Sequence, residues 1–215
     1  MVILDENEIS FPDPHLYHPK DGLIAIGGDL SVERIWFAYQ LGIFPWFNPE
    51  EEILWWSPDP RFVLFTDELK ISKSMKKIIR DEKFRITENV CFEEVMKCCG
   101  EIPRKDQDGT WITDEMLEAY TTLHRYRKAR SVEVWLGEEL VGGLYGVDMG
   151  NVFCGESMFA KVTDASKVAF YHLCQQAKEN GIKLIDCQVH NDHLASLGAY
   201  EISRNEYFEI LRKSF

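Results

Sequence analysis

Hydrophobic residues change their spacing near residue 61 of this chain. Before that point, turn-forming and aromatic residues dominate, with three prolines and three glycines in residues 11–30 and a run of Trp and Phe in residues 43–61. Between these stretches, residues 31–42 (SVERIWFAYQLG) have the apolar spacing of a helix, with Ser31 as N-cap and a glycine just past its end. We therefore predict a small N-terminal domain over residues 1–62.

Beyond residue 61, short apolar runs alternate with amphipathic stretches. Runs rich in β-branched and aromatic residues predict strands, and a 3.6-residue apolar period predicts helices. The predicted elements, in order, are the strand 61–65, the helix 72–79, the strand 84–87, the helices 92–99 and 113–127, the strands 131–136, 139–149 and 152–159, the helix 164–180, the strand 183–189 and a final helix or strand 205–213. Three consecutive strands form a meander, so this order indicates a mixed α/β fold with one central sheet over residues 63–215.

The run LIDCQVHND, residues 184–192, combines an apolar strand pattern with an acid and an amide two residues apart. On a regular strand, Asp186 and Gln188 project from the same face. An unpartnered carboxylate inside a protein costs several kcal/mol, so Asp186 must either find a partner or lie at a cleft where its charge is used. The residues alone leave both interpretations open.

Glu156 raises the same question in the strand CGESMF. It lies among apolar neighbours, and together with Asp186 it would form a negative pocket for a cationic or amine substrate. The alternative is an ion pair with Lys161 or Lys167.

Aromatic and apolar residues supply two further candidate surfaces. Four tryptophans in loop contexts could stack on bases or pack between domains; they are Trp46, Trp55, Trp56 and Trp111. Phe170, Leu173 and Ala177 share one helix face at i, i+3 and i+7. This stripe is either core or, if the strands splay beside it, one wall of an apolar pocket shared with Leu144, Phe153 and Met158.

The net charge of -12 is unevenly distributed. Residues 1–62 carry -8 and residues 63–215 carry -4, and within the second part basic residues cluster over 70–85 and 125–130. Each cluster is either a solvated helix face or a surface for a polyanion such as nucleic acid. The acidic total therefore does not exclude a nucleic-acid partner.

Several classes of protein are excluded by missing patterns. The chain has neither an apolar run of bilayer length nor a signal-peptide pattern, so we expect a cytoplasmic protein with no membrane partner. The six cysteines contain no CxxC pair and the histidines no metal-ligand spacing, which predicts reduced, mostly buried thiols and no metal site. Cys187 is an improbable nucleophile because a regular strand points it away from Asp186 and Gln188.

Seven longer runs follow one another through nearly the whole chain: GGDL (27–30), AYQLGIFPWF (38–47), ILWWSPDPR (53–61), GTWIT (109–113), VGGLYGV (141–147), CGESMF (154–159) and LIDCQVHNDHLASLGA (184–199). In these runs the chain resembles the leucyl/phenylalanyl-tRNA-protein transferase family.

The resemblance implies a small N-terminal domain joined to a GCN5-related acetyltransferase-like domain. It implies transfer of Leu or Phe from Leu-tRNA or Phe-tRNA to the N-terminal Arg or Lys of acceptor proteins, which marks them for degradation. No cofactor is implied, and we expect a monomer.

The resemblance also assigns roles to individual residues. Asp186 and Gln188 match the residues that activate the acceptor amine. Our own hypothesis is that Gln188 accepts a hydrogen bond from the amine, while Asp186 orients Gln188 and stabilises the ammonium that develops after attack. Glu156 with Asn191 would shape the site and attract the acceptor's basic side chain. The donor's terminal adenosine would lie against Trp46, Trp111 and Tyr120. The donor side chain would enter an apolar pocket formed by Leu144, Phe153, Met158, Phe170 and Leu173, and tRNA phosphates would meet Lys73, Lys76, Lys77 and Arg80.

Two other functions compete with this one. An acyl-CoA-dependent N-acetyltransferase would cradle pyrophosphate in a glycine-rich loop before the helix 164–180, but the sequence there, FAKVTDASK, contains no glycine. A non-catalytic RNA-binding module would explain the tryptophans and basic clusters but would leave Glu156, Asp186 and Gln188 without a role.

Overall fold

The structure is a computed structural model that describes residues 2–17, 20–102 and 112–214. Within these residues the strands are β1 (Val2–Leu4), β2 (Leu23–Gly27), β3 (Phe44–Pro45), β4 (Leu54–Trp56), β5 (Arg61–Phe65), β6 (Arg85–Glu88), β7 (Ala129–Leu136), β8 (Glu139–Asp148), β9 (Val152–Ala160), β10 (Leu184–Asp186) and β11 (Tyr200–Ile202). The helices are α1 (Val32–Gln40), α2 (Lys73–Arg80), α3 (Phe92–Glu101), α4 (Asp114–Arg125), α5 (Ala165–Glu179), α6 (Asp192–Ser196) and α7 (Arg204–Leu211), followed by a 3₁₀ turn over Arg212–Ser214.

The strands form two sheets. The smaller sheet has the order β1-β2-β4-β3, and the larger one has the order β11-β5-β10-β9-β8-β7-β6. All neighbours in the larger sheet are antiparallel except β9 and β10, which are parallel and connected through α5. The predicted mixed α/β fold and the meander β7-β8-β9 are confirmed.

Most predicted elements appear with shifts of one or two residues, and Ser31 caps α1 by accepting a hydrogen bond from the amide of Arg34. The final element is a helix, α7. The predicted strand over 183–189 was too long, because β10 ends at Asp186. The short elements β1, β2, β3, α6 and β11 were not predicted, since two to five residues give too little periodicity to recognise.

Two buried clusters lie on opposite faces of the larger sheet. Neighbouring residues of one strand alternate between them: Leu184 belongs to the cluster that includes α3, α4 and the N-terminal elements, whereas Ile185 belongs to the cluster around α5. The first cluster contains Ile24, Tyr39 and Trp55 from the N-terminal region. Both sheets therefore share one core.

The predicted domain boundary after residue 62 stays a prediction. The change from the smaller to the larger sheet lies just before it, since β5 begins at Arg61 and already belongs to the larger sheet. Among the helices in the described residues, none is long and apolar enough to cross a bilayer.

Gly146 in β8 is required by close packing. A Cβ atom at this position would lie 2.2 Å from the carbonyl oxygen of Cys154 and 2.5 Å from the ring of Phe153. The first of these atoms belongs to the backbone of β9 and cannot move without disturbing the β8-β9 pair. Only glycine fits here.

Replacing Gly146 by Ala is therefore expected to lower the free energy of unfolding by about 1–3 kcal/mol, the usual range for overpacking. The measurement is urea denaturation followed by fluorescence. Gly155→Ala is the matched control in β9, because its Cβ would lie at an ordinary 3.6 Å from the nearest backbone atom. Equal losses for the two variants would contradict the steric explanation.

Candidate active site

The larger sheet opens where β10 ends. The parallel pair runs only from Leu184 opposite Val152 to Asp186 opposite Cys154, while β9 continues to Ala160. After Asp186 the chain stays with β5: Cys187 donates its amide to the carbonyl of Phe62 at 2.9 Å. The site therefore begins at a split between two strands.

Gln188 turns the chain away from β9. Its φ of 61° lies in the left-handed region, which is uncommon for a residue with a side chain, and Val189 donates its amide to the carbonyl of Cys187 in a tight turn. The segment from Asp186 to Gln188 therefore departs from regular strand geometry, in which the two side chains would project from one face. This corrects the expectation of strand geometry beyond Asp186.

A cavity of about 530 Å³ fills the split and is called the β9–β10 cavity below. Its apolar end includes Leu144, Met158, Phe170, Leu173 and Leu194. Its polar end includes Glu156, Asp186 and Gln188, and the lining also contains His190, Asn191 and the exposed Trp46. Since the apolar end belongs to the α5 face and Asp186 points to the other face, the cavity joins both faces of the sheet.

Two residues of the predicted apolar pocket are core residues. Phe153 is fully buried and packs beside Gly146 behind the cavity, and Ala177 is buried on α5. Neither belongs to the lining. The helical period correctly grouped Ala177 with Phe170 and Leu173, but the cavity does not extend far enough along α5 to reach it.

Asp186 is fully buried and accepts four hydrogen bonds. Its Oδ1 accepts from Arg61 Nε at 2.8 Å and from the amide of Gln188 at 3.0 Å. Its Oδ2 accepts from Arg61 Nη2 at 2.6 Å and from the hydroxyl of Tyr207 at 3.0 Å. A carboxylate offers about four lone-pair positions, so these bonds occupy them. Both interpretations of Asp186 apply: its carboxylate has a partner in Arg61, and it also lines the cavity.

Arg61 is itself buried between aromatic rings. Its guanidinium lies 4.9 Å from the ring centre of Phe44 and 4.5 Å from that of Tyr207, and its Nη1 donates to the carbonyl of Gly42 at 3.2 Å. The ion pair therefore ties β5 and β10 to the N-terminal region and to α7.

Glu156 lies on a β-bulge. Tyr145 pairs with Ser157 and Gly146 pairs with Gly155, so Glu156 is the extra residue of β9. Bulges redirect a side chain and are frequent beside active sites. Here the bulge turns the carboxylate toward Gln188, whose Nε2 donates to Glu156 Oε1 at 3.3 Å.

Tyrosines, not lysines, are the partners of Glu156. The hydroxyl of Tyr39 on α1 donates to Glu156 Oε1 at 2.6 Å and lies 2.6 Å from the hydroxyl of Tyr120 on α4. Lys167, one of the lysines considered, pairs with Asp164 at 3.0 Å instead. The sequence offered one signal for Tyr39 that was missed: it falls on the apolar face of α1, and a buried tyrosine hydroxyl needs a partner.

Burial and, to a smaller extent, the negative charge of Asp186 raise the pKa of Glu156 to about 8, against the hydrogen bond from Tyr39, which lowers it. Burial likewise holds the pKa values of Tyr39 and Tyr120 well above their usual range, so both hydroxyls remain protonated near neutral pH. Glu156 therefore exchanges its proton within the range in which an α-amino group titrates.

The aromatic candidates have different fates. Trp46 is 39% exposed and lines the cavity rim, and its carbonyl accepts a hydrogen bond from Trp56 Nε1 at 2.6 Å. Trp55 is fully buried and donates to the carbonyl of Gly27, so it is a core residue. Trp111 lies outside the described residues. Tyr120 has no exposed surface, which leaves its ring no face on which a base could stack.

The predicted basic residues Lys73, Lys76, Lys77 and Arg80 are exposed on α2 and are called the α2 basic surface below. Within the second cluster, Lys128 lies over the ring of Trp36 at 3.9 Å and Arg130 pairs with Glu88 and Asp148. On the α2 basic surface, Arg80 pairs with Asp81 at 3.0 Å, but that pair is exposed to solvent.

The cysteines are free thiols, five buried and Cys91 partly so, as the sequence predicted. Burial raises the pKa of Cys187 well above its usual value, which disfavours a thiolate. Within the described residues, no three His, Cys, Asp or Glu side chains are arranged to hold a metal ion.

Comparison with known proteins gives consistent matches over nearly the whole chain. The family model for leucyl/phenylalanyl-tRNA protein transferase matches residues 63–212, and the model for its N-terminal domain matches residues 28–59. A leucyl/phenylalanyl-tRNA–protein transferase of Flavobacterium johnsoniae is 58% identical, covering 90% of this chain and 91% of its own. One of Shigella dysenteriae is 50% identical, covering 99% and 90%.

Among solved structures the likeness is distant. A GCN5-related N-acetyltransferase from Kribbella flavida is 10% identical with a TM-score of 0.39, covering 78% of this chain and 60% of its own.

The Asp186 carboxylate supplies the first test of this site. Replacing it by Asn leaves the buried Arg61 guanidinium without its counter-charge, so the free energy of unfolding should fall by about 3–5 kcal/mol. Chemical denaturation near neutral pH measures the loss. The control is Glu93→Gln, which removes an exposed pair with Lys97 on α3 and should change stability little. Similar stability of both variants and the unaltered chain would contradict a structural ion pair.

Proposed function

This chain belongs to the leucyl/phenylalanyl-tRNA protein transferase family, and on that premise we propose that it joins Leu or Phe from aminoacyl-tRNA to the N-terminal Arg or Lys of acceptor proteins in the β9–β10 cavity. The observation that carries this proposal is the union, in one cavity, of an apolar end and a carboxylate–amide end. In such a reaction the acceptor amine attacks the ester carbonyl, a C–N bond forms, and the ribose hydroxyl leaves.

The apolar end suits the donor side chain. Leu144, Met158, Phe170 and Leu173 form a wall without charged groups, and burying a Leu or Phe side chain there contributes about 1.5–3 kcal/mol of binding free energy. Trp46, exposed at the rim, is our candidate for stacking on the terminal adenosine of the tRNA.

The polar end suits the acceptor. Asp186 is neutralised by Arg61, so the negative charge that favours an Arg or Lys side chain comes from Glu156 when it is ionised. Asn191, the N-cap of α6, also lines the cavity and offers a carboxamide. Gln188 presents its carboxamide to the cavity while its Nε2 contacts Glu156. We assign to Gln188 the orientation of the attacking amine.

Asp186 acts in this proposal as a positioning residue. Because its lone pairs are occupied by Arg61, Tyr207 and Gln188, it holds the backbone of Gln188 in place without touching the amine. This proposal keeps the expected orientation of Gln188 by Asp186 and gives up the expected stabilisation of the ammonium by Asp186. We further propose that the protein works as a monomer in the cytoplasm and that its products are marked for degradation.

The deciding assay mixes the protein with radiolabelled Leu-tRNA or Phe-tRNA and a peptide that begins with Arg or Lys. We expect label in the peptide, and at least tenfold less with Gln188→Ala, because misoriented reactants lose much of the advantage of proximity. Gln176→Ala is the matched control, since this glutamine on α5 lies outside the cavity and bonds Glu179.

Three peptides define the acceptor. The peptide that begins with Arg or Lys is compared with its N-acetylated form and with a peptide that begins with Asp. The acetylated peptide should remain unlabelled because it lacks a free amine. The Asp peptide should remain unlabelled because its side chain is repelled by ionised Glu156. Labelling of the acetylated peptide, or no labelling of any peptide, would contradict the proposal.

The α2 basic surface is our candidate contact for tRNA phosphates. Replacing Lys73, Lys76, Lys77 and Arg80 by Gln should weaken tRNA binding at low salt and flatten the dependence of log Kd on log salt, since fewer counterions are released. Filter binding over a salt series measures both effects.

Lys178 and Lys183 provide a control, since both are exposed near the opposite end of α5 from the cavity. Their replacement by Gln should leave the salt slope close to that of the unaltered protein. A quadruple α2 variant with an unchanged slope would remove α2 as the tRNA surface.

A further inference from the structure

Aminoacyl transfer requires the movement of one proton. As the acceptor nitrogen bonds to the ester carbonyl it loses a proton, and as the C–O bond breaks the ribose oxygen gains one. A group that accepts the first proton and supplies the second balances the reaction without any co-reactant. The question is which side chain at the polar end can do both.

Gln188 and Asp186 do not fit this task. The carboxamide of Gln188 accepts hydrogen bonds but is not basic enough to take a proton near neutral pH. Asp186 is fully buried, paired with Arg61, and accepts four hydrogen bonds already. Taking a proton would break the ion pair.

Glu156 fits on geometry. The bulge in β9 sets its carboxylate at the cavity wall, and its Oε1 lies 3.3 Å from Gln188 Nε2, beside the residue that we expect to orient the amine. Among the residues that the structure describes, no cation forms an ion pair with its carboxylate, unlike that of Asp186, so protonation does not require breaking such a pair there.

We propose that Glu156 is the proton acceptor of the transfer reaction and that Tyr39 and Tyr120 are the positioning residues whose hydrogen bonds favour its ionised form. This assignment rests on the proposed function. When Glu156 is ionised it can only accept, so Tyr39 donates to it and Tyr120 must donate to Tyr39. Protonated Glu156 can instead donate to Tyr39, which reverses the chain.

The positioning residues come from elements remote in sequence. Tyr39 lies on α1 in the N-terminal region and Tyr120 lies on α4, and both hydroxyls are buried. The N-terminal region thereby supplies a hydrogen bond to the carboxylate at the cavity, in addition to the aromatic rim at Trp46.

The charges around Glu156 agree with a proton acceptor that works near pH 8. The titratable groups facing it are Tyr39 (α1), Tyr120 (α4), Cys154 (β9), Asp186 (β10) and Arg61 (β5). Burial and Asp186 raise the pKa of Glu156, whereas Arg61 and the tyrosine hydrogen bonds lower it, with the result about 8. A base is most effective when its pKa lies near the working pH.

The test is the pH dependence of kcat/KM for the acceptor peptide between pH 6 and 9, with ester hydrolysis measured in parallel without enzyme. For the unaltered protein the rate should follow two ionisations, those of Glu156 and of the acceptor amine. In Glu156→Gln only the amine ionisation should remain, and the rate at pH 8 should fall at least tenfold, since general bases contribute about 10²–10⁴-fold.

Tyr39→Phe removes the bond that favours ionised Glu156, so the pKa of Glu156 should rise. The rate at pH 7 should then fall about tenfold for each unit of rise, and the deficit should shrink toward pH 9. Tyr120→Phe should shift the profile in the same direction by a smaller amount. Tyr126→Phe, an exposed tyrosine at the end of α4, is the control and should overlay the unaltered profile.

The possible outcomes distinguish failure of the role proposed for Glu156 from failure of the proposed function. Transfer by the unaltered protein with superimposable profiles for Glu156→Gln, or for folded Tyr39→Phe and Tyr120→Phe, would overturn this inference and leave the proposed function intact. Absence of transfer by the unaltered protein would overturn the proposed function itself. If Tyr39→Phe fails to fold, as judged by circular dichroism, Tyr120→Phe and Glu156→Gln carry the test.

Discussion

The buried ion pair between Arg61 and Asp186 is the interaction around which this molecule is arranged. Two charges removed from water are tolerated only when geometry and further hydrogen bonds compensate the lost solvation. Here the pair is bidentate, and the hydroxyl of Tyr207 and the amide of Gln188 donate two further hydrogen bonds to the carboxylate. The carbonyl of Gly42 accepts a hydrogen bond from Arg61 Nη1. This one ion pair therefore connects β5, the N-terminal region, α7 and the turn at Gln188.

The same constraint creates the cavity. Because Asp186 accepts a hydrogen bond from the amide of Gln188, the chain turns there and β10 no longer pairs with β9 beyond Cys154. The gap passes through the sheet, so the apolar layer beneath α5 and the polar groups near α1 and α4 meet in one space. A sheet that stayed fully paired would keep these two chemistries on opposite faces. The split thus suits the proposed reaction, in which an apolar donor side chain and a cationic acceptor lie in one cavity.

The sequence predicted much of the site because several signals were local. Leu144, Met158, Phe170 and Leu173 follow strand and helix periods, and they line the cavity as the apolar-pocket interpretation requires. Phe153 follows the same strand pattern but is packed against Gly146, since periodicity identifies a face and does not limit how far a cavity extends. Tyr120 was expected to stack on a base, but its buried hydroxyl bonds that of Tyr39 instead. The sequence did not reveal this contact because the two tyrosines are 81 residues apart.

The sequence by itself determined the mixed α/β fold, the helices and longer strands, and, through its runs, the family. These follow from spacing and capping, which act over a few residues. Only the tertiary structure decided that β10 stops at Asp186, that Arg61 neutralises it, and that Glu156 stands on a bulge facing Tyr39. Each of these depends on partners from distant segments, and desolvation sets their charges only once the chain has brought them together.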